Sequence, residues 1–580
     1  MTLTILDWTF IAVYFVTSAI VGVWFARRGG ASVSEFFLTG RSLPWWLAGT
    51  SMVATTFAAD TPLAVAGLVA RDGIAGNWIW WSAAFGSMLT VFFFARLWRR
   101  AGILTDVEFA ELRYAGRPAA ILRGFRALYL GLPINCVIMG WVNLAMAKIL
   151  SVTLGWDELT AVFVSLAITG VYSALSGLWG VVVTDFFQFF FAMVGSIALA
   201  WFALRLPAIG GLDGLIAQVP PGTLDFVPRF ESAPEAATVT VGLPVATFLT
   251  YVAVQWWASW YPGQEPGGGG YVAQRMMSAR DERHSLLATL WFSVAHYCLR
   301  PWPWIIVGLV SMVLYPGIAD KEAGYVFVMR DHLPSGWRGF LLAAFFAAYM
   351  STISTQLNWG TSYIVNDFYR RFVRRDATEQ HYVWISRMTT LALMVLSAIV
   401  TFYLESIRQA WEFVLESGAG IGLVLILRWY WWRINAWSEI AAMVGAAVGY
   451  TFLKVFTTLA FPQTLLAVVA WTTVCWLVVT LMTAPEPEDQ LVAFYRRTRP
   501  DGPGWRPIAA RAGGPPPAPV GGLVIDWLAG VGLVYAALFG VGAALLDSVV
   551  ASLPYFAIAF LCMFVISRDL SRRGWKSVTG

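Results

Sequence analysis

Runs of about 20 apolar residues, the length that crosses a bilayer, recur along almost the whole chain and fix its class before any motif is read. They cover Leu6 to Ala26, Leu43 to Ala70, Ile74 to Leu97, Leu128 to Leu150, Leu159 to Leu175 and Val181 to Leu204. After a polar stretch come Val241 to Tyr261, Leu286 to Leu314, Phe340 to Val365, Trp384 to Leu404 and Phe413 to Trp432. A terminal group covers Ile440 to Val455, Leu465 to Met482, Leu523 to Leu545 and Val549 to Ile566. With 58% of residues hydrophobic, 13% charged and a mean hydropathy of +0.65, the chain reads as an all-α polytopic membrane protein.

The net charge of +5 does not imply a nucleic-acid partner, because the arginines gather in alternate loops as membrane topology demands. Arg99, Arg100, Arg113 and Arg123 share one side with Arg370, Arg371, Arg374, Arg375, Arg572 and Arg573. Asp157, Glu158, Asp213, Glu231, Glu235 and Asp320 fall on the other. The expectation is an N-terminus outside and a C-terminus in the cytoplasm of a bacterial inner membrane, with the first run retained as a helix because no basic segment precedes it. Cys136, Cys298, Cys475 and Cys562 are scattered through apolar runs and suggest neither disulfide nor metal chemistry; His296 reads as a packing residue. Residues 484–521, rich in Pro, Gly and Arg, read as a disordered cytoplasmic loop.

Two runs are interrupted. In "VATTFAADTPLAVAG", Val53 to Gly67, a carboxylate (Asp60) and a proline (Pro62) sit in a membrane span, where both are costly. In "QWWASWYPGQEPGGGGYVAQR", Gln255 to Arg275, glycine and proline displace the helix altogether. Non-helical backbone at membrane depth is tolerated only where protein buries it or water reaches it. A matched pair of such breaks marks the binding site of an inverted-repeat transporter. Each break opens a five-helix set, the first over residues 43–204 and the second over 241–433, separated by an outer loop at 205–240. Residues 1–30 form an extra helix before them. Residues 434–483 and 522–570 supply about four more after them.

"FFLTGRSLPWWLAGTSMVATTFAADTPLAVAG", "YSALSGLWGVVVTDFFQF" and "AAFFAAYMSTISTQLNWGTSYIVNDFYRRF" together resemble the sodium/solute symporter family, which includes sodium/galactose, sodium/proline and sodium/sialic acid cotransporters. The resemblance implies a LeuT-like core of five plus five helices and Na⁺-driven uptake of a small organic solute by alternating access. It implies a sodium site on the carbonyls of Ala54, Phe57 and Ala348 and the hydroxyls of Ser351 and Thr352. A second sodium site, present in some members, matches Asp185 with Ser351, Ser354 and Thr355. These hydroxyls share one helix face, though serine and threonine in membranes also bond back to their own helix.

Family substrates bind beside the first break, which makes Asp60, Ser82, Gln255, Trp256, Trp257, Glu265 and Arg300 the substrate candidates. Ile79 stands where sugar-transporting relatives place a glutamate, so the solute class is open. Arg300 is expected either to hold a substrate carboxylate through two hydrogen bonds or to pair internally with Glu265, Glu416 or Asp60. A sensor lacking transport, and proton coupling through Asp60 or Asp185, are the alternative functions. An enzyme is not expected, because no metal cluster or large soluble loop is present to support one. The oligomeric state is not legible.

Overall fold

The computed structural model describes residues 3–29, 39–175, 178–228, 242–261 and 265–573. Among these the chain is helical, with two isolated β-bridges and no strand. Ten helices are long and apolar enough to cross a membrane, and a further bent pair passes the same test when taken together.

The first part comprises α1 (Ile5–Gly29), the bent pair α2 (Trp45–Thr55) and α3 (Asp60–Asp72), α4 (Ile74–Ala101), α5 (Gly116–Leu154), α6 (Glu158–Leu175) and α7 (Leu178–Leu204). The second opens with α8 (residues 245–258) and α9 (Gly270–Ser278), followed by α10 (Glu282–Leu314), α11 (Trp337–Val373), α12 (Glu379–Thr401), α13 (Ile407–Ser417) and α14 (Ile421–Tyr430). The C-terminal group is α15 (Ala436–Phe456), α16 (Gln463–Met482), α17 (Glu488–Thr498), α18 (Gly521–Leu546) and α19 (Val549–Arg573). Burial separates core from rim. In its apolar stretch α11 is 94% buried and α12 only 11%, so α11 runs through the middle of the bundle and α12 faces lipid.

Both expected interruptions are present. The axes of α2 and α3 diverge by 61° across Thr56–Ala59. Pro62 is not the breaker, a correction to its expected role: it lies in the first turn of α3, where its missing N–H has no helical partner to lose. In the second interruption Gly267 and Gly268 take φ of +90° and +79°, conformations that only glycine adopts cheaply. That segment is tied to a third break, Gly418 to Gly420, between α13 and α14. Gly420 N–H donates to Ala258 O at 2.8 Å and Trp260 N–H to Gly418 O at 3.3 Å.

A buried ionic quartet pins the same region. Glu439 on α15 accepts from Arg126 of α5 at 2.9 Å and from Arg428 of α14 at 3.3 Å. Glu265 lies 3.5 Å from Arg428 and 3.8 Å from Arg126, and accepts from Trp260 Nε1 at 2.8 Å. Two positive and two negative groups share one low-dielectric space, so each desolvation cost is offset only while all four remain.

The 484–521 stretch is not disordered, contrary to the expectation from its composition. Leu491, Phe494 and Tyr495 give α17 an apolar stripe at helical spacing, and Trp505 and Ile508 follow in further helical turns; all five are buried. Arg113 lies 4.8 Å over the Trp505 ring and 5.3 Å over Phe494, while its Nε donates to Arg428 O at 3.0 Å. The hydrophobic spacing outweighs the Pro and Gly content.

α1 also has a structural task. The buried carboxylate of Asp7 accepts from the backbone N–H groups of Gly336 and Gly339 at 2.7 and 2.8 Å, capping the start of α11. Asp7→Ala leaves those amides unpaired, with an expected cost of about 1–2 kcal/mol, read as a lower unfolding temperature in detergent. Glu439→Gln unbalances the quartet and is expected to cost about 3 kcal/mol or more. Lys454→Met, which leaves the buried Glu416 carboxylate without its partner, is expected to cost about 1–3 kcal/mol in the same unfolding measurement.

Candidate functional site

The first two breaks converge on a cavity that α13 also lines. Thr55, Thr56, Asp60 and Thr61 enter it from the first break, Ile79, Trp80 and Ala83 from α4, and Gln255, Trp256, Ser259 and Tyr261 from α8 and its end. Trp141 lines it from α5, Tyr271 from α9, His296 and Arg300 from α10, Thr352 and Gln356 from α11, and Trp411 from α13. Of the seven substrate candidates, Asp60, Gln255, Trp256 and Arg300 therefore face it. Ser82 sits behind the wall, accepting from Gln255 Nε2 at 3.2 Å. Trp257 does not line it and donates to Ala253 O at 2.7 Å on its own helix. Glu265 belongs to the ionic quartet and not to the cavity, because two arginines that the linear sequence keeps far away claim its charge.

Among the described residues no carboxylate lies within ion-pair distance of Arg300, although Asp60, lining the same cavity, is near enough for the two charges to act on each other. Glu265 is held by Arg126 and Arg428, and Glu416 by Lys454 at 2.9 Å. Its Nε donates to His296 O at 3.2 Å, Nη1 to Thr56 Oγ1 at 3.2 Å and Val53 O at 3.5 Å, and Nη2 to His296 Nε2 at 3.2 Å. Of its five N–H groups at most one remains, so the expected two-bond grip on a substrate carboxylate is not available in this arrangement. His296, read from the sequence as packing, is the acceptor that orients the guanidinium. Phe57 stacks on Trp304 with ring centroids 5.0 Å apart, fixing the turn from its other side.

Where α2 ends, α11 passes alongside. Ala348, Ser351 and Thr352 are buried on α11, and Thr352 Oγ1 donates to Thr55 O at 3.3 Å. The break and the hydroxyl-bearing helix are thus in direct contact. Carbonyls and hydroxyls form an all-oxygen donor set, which suits a hard cation such as Na⁺.

Asp185, fully buried on α7, accepts from Ser51 at 2.7 Å, from Thr55 at 3.5 Å and from Ser351. Ser354 instead bonds back to Ser351 O at 3.2 Å, and the Thr355 hydroxyl is buried without a partner. The charge facing Asp185 is Arg275, 3.9 Å away, which also donates to Ser51 and Thr55 at 3.4 Å each. Arg275 lies inside the quoted second interruption, but nothing in its local spacing indicates a partner on α7.

The sequence reading also missed the support given by α18. Just before the interruption of α4 at Ser82, Gln255 Nε2 donates to Ile79 O at 2.7 Å and Tyr535 OH to Trp81 O at 2.9 Å. Trp527 donates to Phe85 O at 2.9 Å, and its ring lies 5.6 Å from that of the cavity residue Trp256.

Comparison with known proteins follows this geometry. The profile of the sodium:solute symporter family matches residues 36–449. A sodium/glucose cotransporter 4 of Danio rerio is 26% identical over 560 residues, covering 86% of this chain and 82% of its own. A sodium/glucose cotransporter of Vibrio parahaemolyticus is 25% identical over 496 residues, covering 79% and 87%. Among solved structures, a Na⁺-coupled sialic acid symporter in a substrate-bound outward-open state superposes with a TM-score of 0.68 at 17% identity, over 83% of this chain and 99% of that one; the fold is therefore the LeuT-like one. A match over most of its length, on a bundle whose helices are interrupted around one cavity, places this chain in the sodium:solute symporter family.

Proposed function

We propose that Na⁺ is held by the carbonyls of Ala54, Phe57 and Ala348 with the hydroxyls of Ser351 and Thr352, and that the adjoining cavity takes a neutral, hydroxyl-rich solute of monosaccharide size. The chain is a Na⁺-coupled symporter of an integral-membrane family, and in this reading its arginine-rich face lies in the cytoplasm of a bacterial inner membrane.

The observation that carries the solute class is the hydrogen-bond balance of the cavity. Among the described residues, Gln255 Oε1 and Gln356 Oε1 are buried acceptors without partners, the Ser259 hydroxyl is likewise unmatched, and the side-chain donor that Asp60 meets is the Trp411 indole. Buried unmet groups are costly until a ligand satisfies them. A solute rich in O–H donors does so, and the indole and phenol walls suit the apolar faces of a sugar ring. The missing glutamate at Ile79 is thereby replaced by acceptors from other helices. A carboxylate solute fits poorly, because Arg300 spends its donors internally. The relatives named as sodium/glucose cotransporters agree with this reading.

A second Na⁺ beside Asp185, Ser351, Ser354 and Thr355 belongs to the same proposal and requires the Arg275 guanidinium to withdraw. Each ion adds about 2.3 kcal/mol of driving force per 100 mV.

The test is uptake into liposomes. Neutral monosaccharides are expected to enter only with an inward Na⁺ gradient, amino acids and carboxylates are expected not to, and Ser351→Ala combined with Thr352→Ala is expected to abolish the Na⁺ dependence. Equal uptake in K⁺ sinks the ion site, and preferential uptake of carboxylates sinks the solute class.

A further inference from the structure

Three arginines from distant parts of the chain meet where α4 ends, on the membrane face that collects most of the protein's arginines. The end of α4 is Gly102, at φ +63°. A methyl group built on it lies 3.0 Å from Arg497 Nη2 and 3.5 Å from Arg41 Nη1, so two guanidinium groups converge on one point. Arg41 is held there by its Nη2, which donates to Gly102 O at 2.8 Å. Arg99 is anchored to the same corner by donating to Ala279 O at 2.7 Å and Arg280 O at 3.1 Å, and the charges of Arg41, Asp281 and Glu282 all act on it. Arg497 comes from the last turn of α17, the segment whose composition suggested disorder.

Among the described residues none of the three makes an ion pair, although several carboxylates lie near. Glu108 acts on Arg41 through its charge, but it accepts from Leu104 N–H at 3.1 Å and lies 3.8 Å from Arg123. Glu282 is taken by Arg100 at 2.9 Å, and Asp281 caps α10 by accepting from His284 N–H at 2.8 Å. Burial and the neighbouring Arg497 draw Arg41 below the ordinary arginine range. The only two non-glycine residues with positive φ among the described residues are Arg41 (+56°) and Arg499 (+45°), and both border this corner. Strained backbone that brings like charges together persists only if something offsets it.

We propose that Arg41, Arg99 and Arg497 bind a phosphate group. Guanidinium forks match phosphate oxygens in geometry as well as charge. Two sources present that group at a membrane face, the headgroup of an anionic phospholipid and free phosphate.

The test uses the full-length protein in neutral detergent. Its unfolding temperature is read while phosphatidylglycerol is titrated against equal phosphatidylcholine, and separately while inorganic phosphate is titrated at constant ionic strength. At least one source is expected to raise the unfolding temperature saturably. Arg41→Gln with Arg497→Gln is expected to raise the half-saturating concentration at least about tenfold, the loss of two charge-assisted contacts. Arg511→Gln, which breaks an exposed pair with Glu488 at 2.8 Å, leaves it unchanged. If the double variant does not purify, Arg497→Gln alone, at an exposed side chain, is expected to shift the titration in the same direction. A response to phosphatidylglycerol alone assigns a lipid headgroup, and an equal response to inorganic phosphate assigns the free anion. No response of the wild type to either source overturns the proposal, as does a double variant that responds like the wild type.

Discussion

Everything in this transporter hangs on a few peptide groups that leave the helical ladder at membrane depth. Between Thr55 and Asp60 the chain turns through 61°, and in an apolar surrounding each released carbonyl and amide must find a partner or carry a penalty of several kcal/mol. Thr56 meets part of that demand locally, its hydroxyl donating to Val53 O at 2.8 Å. Arg300 and Thr352 meet more of it from α10 and α11. The ion completes the account in the proposed function: the Phe57 carbonyl, released where the helix stops, becomes a ligand for a cation.

A second demand comes from charge. A bundle with so many buried arginines is stable only if each is placed against carbonyls, aromatic faces or carboxylates, and the three kinds of solution divide by location. Arg113 uses carbonyls and rings, Arg126 and Arg428 use Glu265 and Glu439, and Arg300 uses His296 and Thr56. The second break therefore has a fixed role as well as a permissive one. Its glycines let the chain turn, and Glu265 within it is locked by two helices, which holds Gln255 and Trp256 against the cavity.

These two demands also explain what the linear sequence revealed. Apolar runs and the Gly/Pro interruptions are local signals, so most of the spans and both breaks were legible, whereas the run from Phe413 to Trp432 hid the third break at Gly418 to Gly420. Partners of buried charges were hidden too. Glu265 was expected at the substrate because its partner Arg428 lies 163 residues away, and Arg275 attracted no notice because its carboxylate is on α7. His296 looked inert although Arg300 is one helical turn away, because a lone histidine in an apolar run reads as packing. The stretch from 484 to 521 misled by composition, since Pro and Gly outnumber the few apolar residues, Leu491, Phe494, Tyr495 and Trp505, whose spacing folds it. The support that α18 gives the cavity carries no motif at all: Tyr535 acts through a hydroxyl on a main-chain carbonyl.

The central claim is that Na⁺ binds the unwound turn and α11 together, so the most direct measurement is amide hydrogen exchange of the purified protein in Na⁺ against K⁺ at equal ionic strength. Peptides spanning residues 53–61 and 346–356 are expected to exchange more slowly in Na⁺ while the lipid-facing α12 does not change. Equal exchange of both peptides in the two salts, or protection confined to regions away from them, contradicts the account.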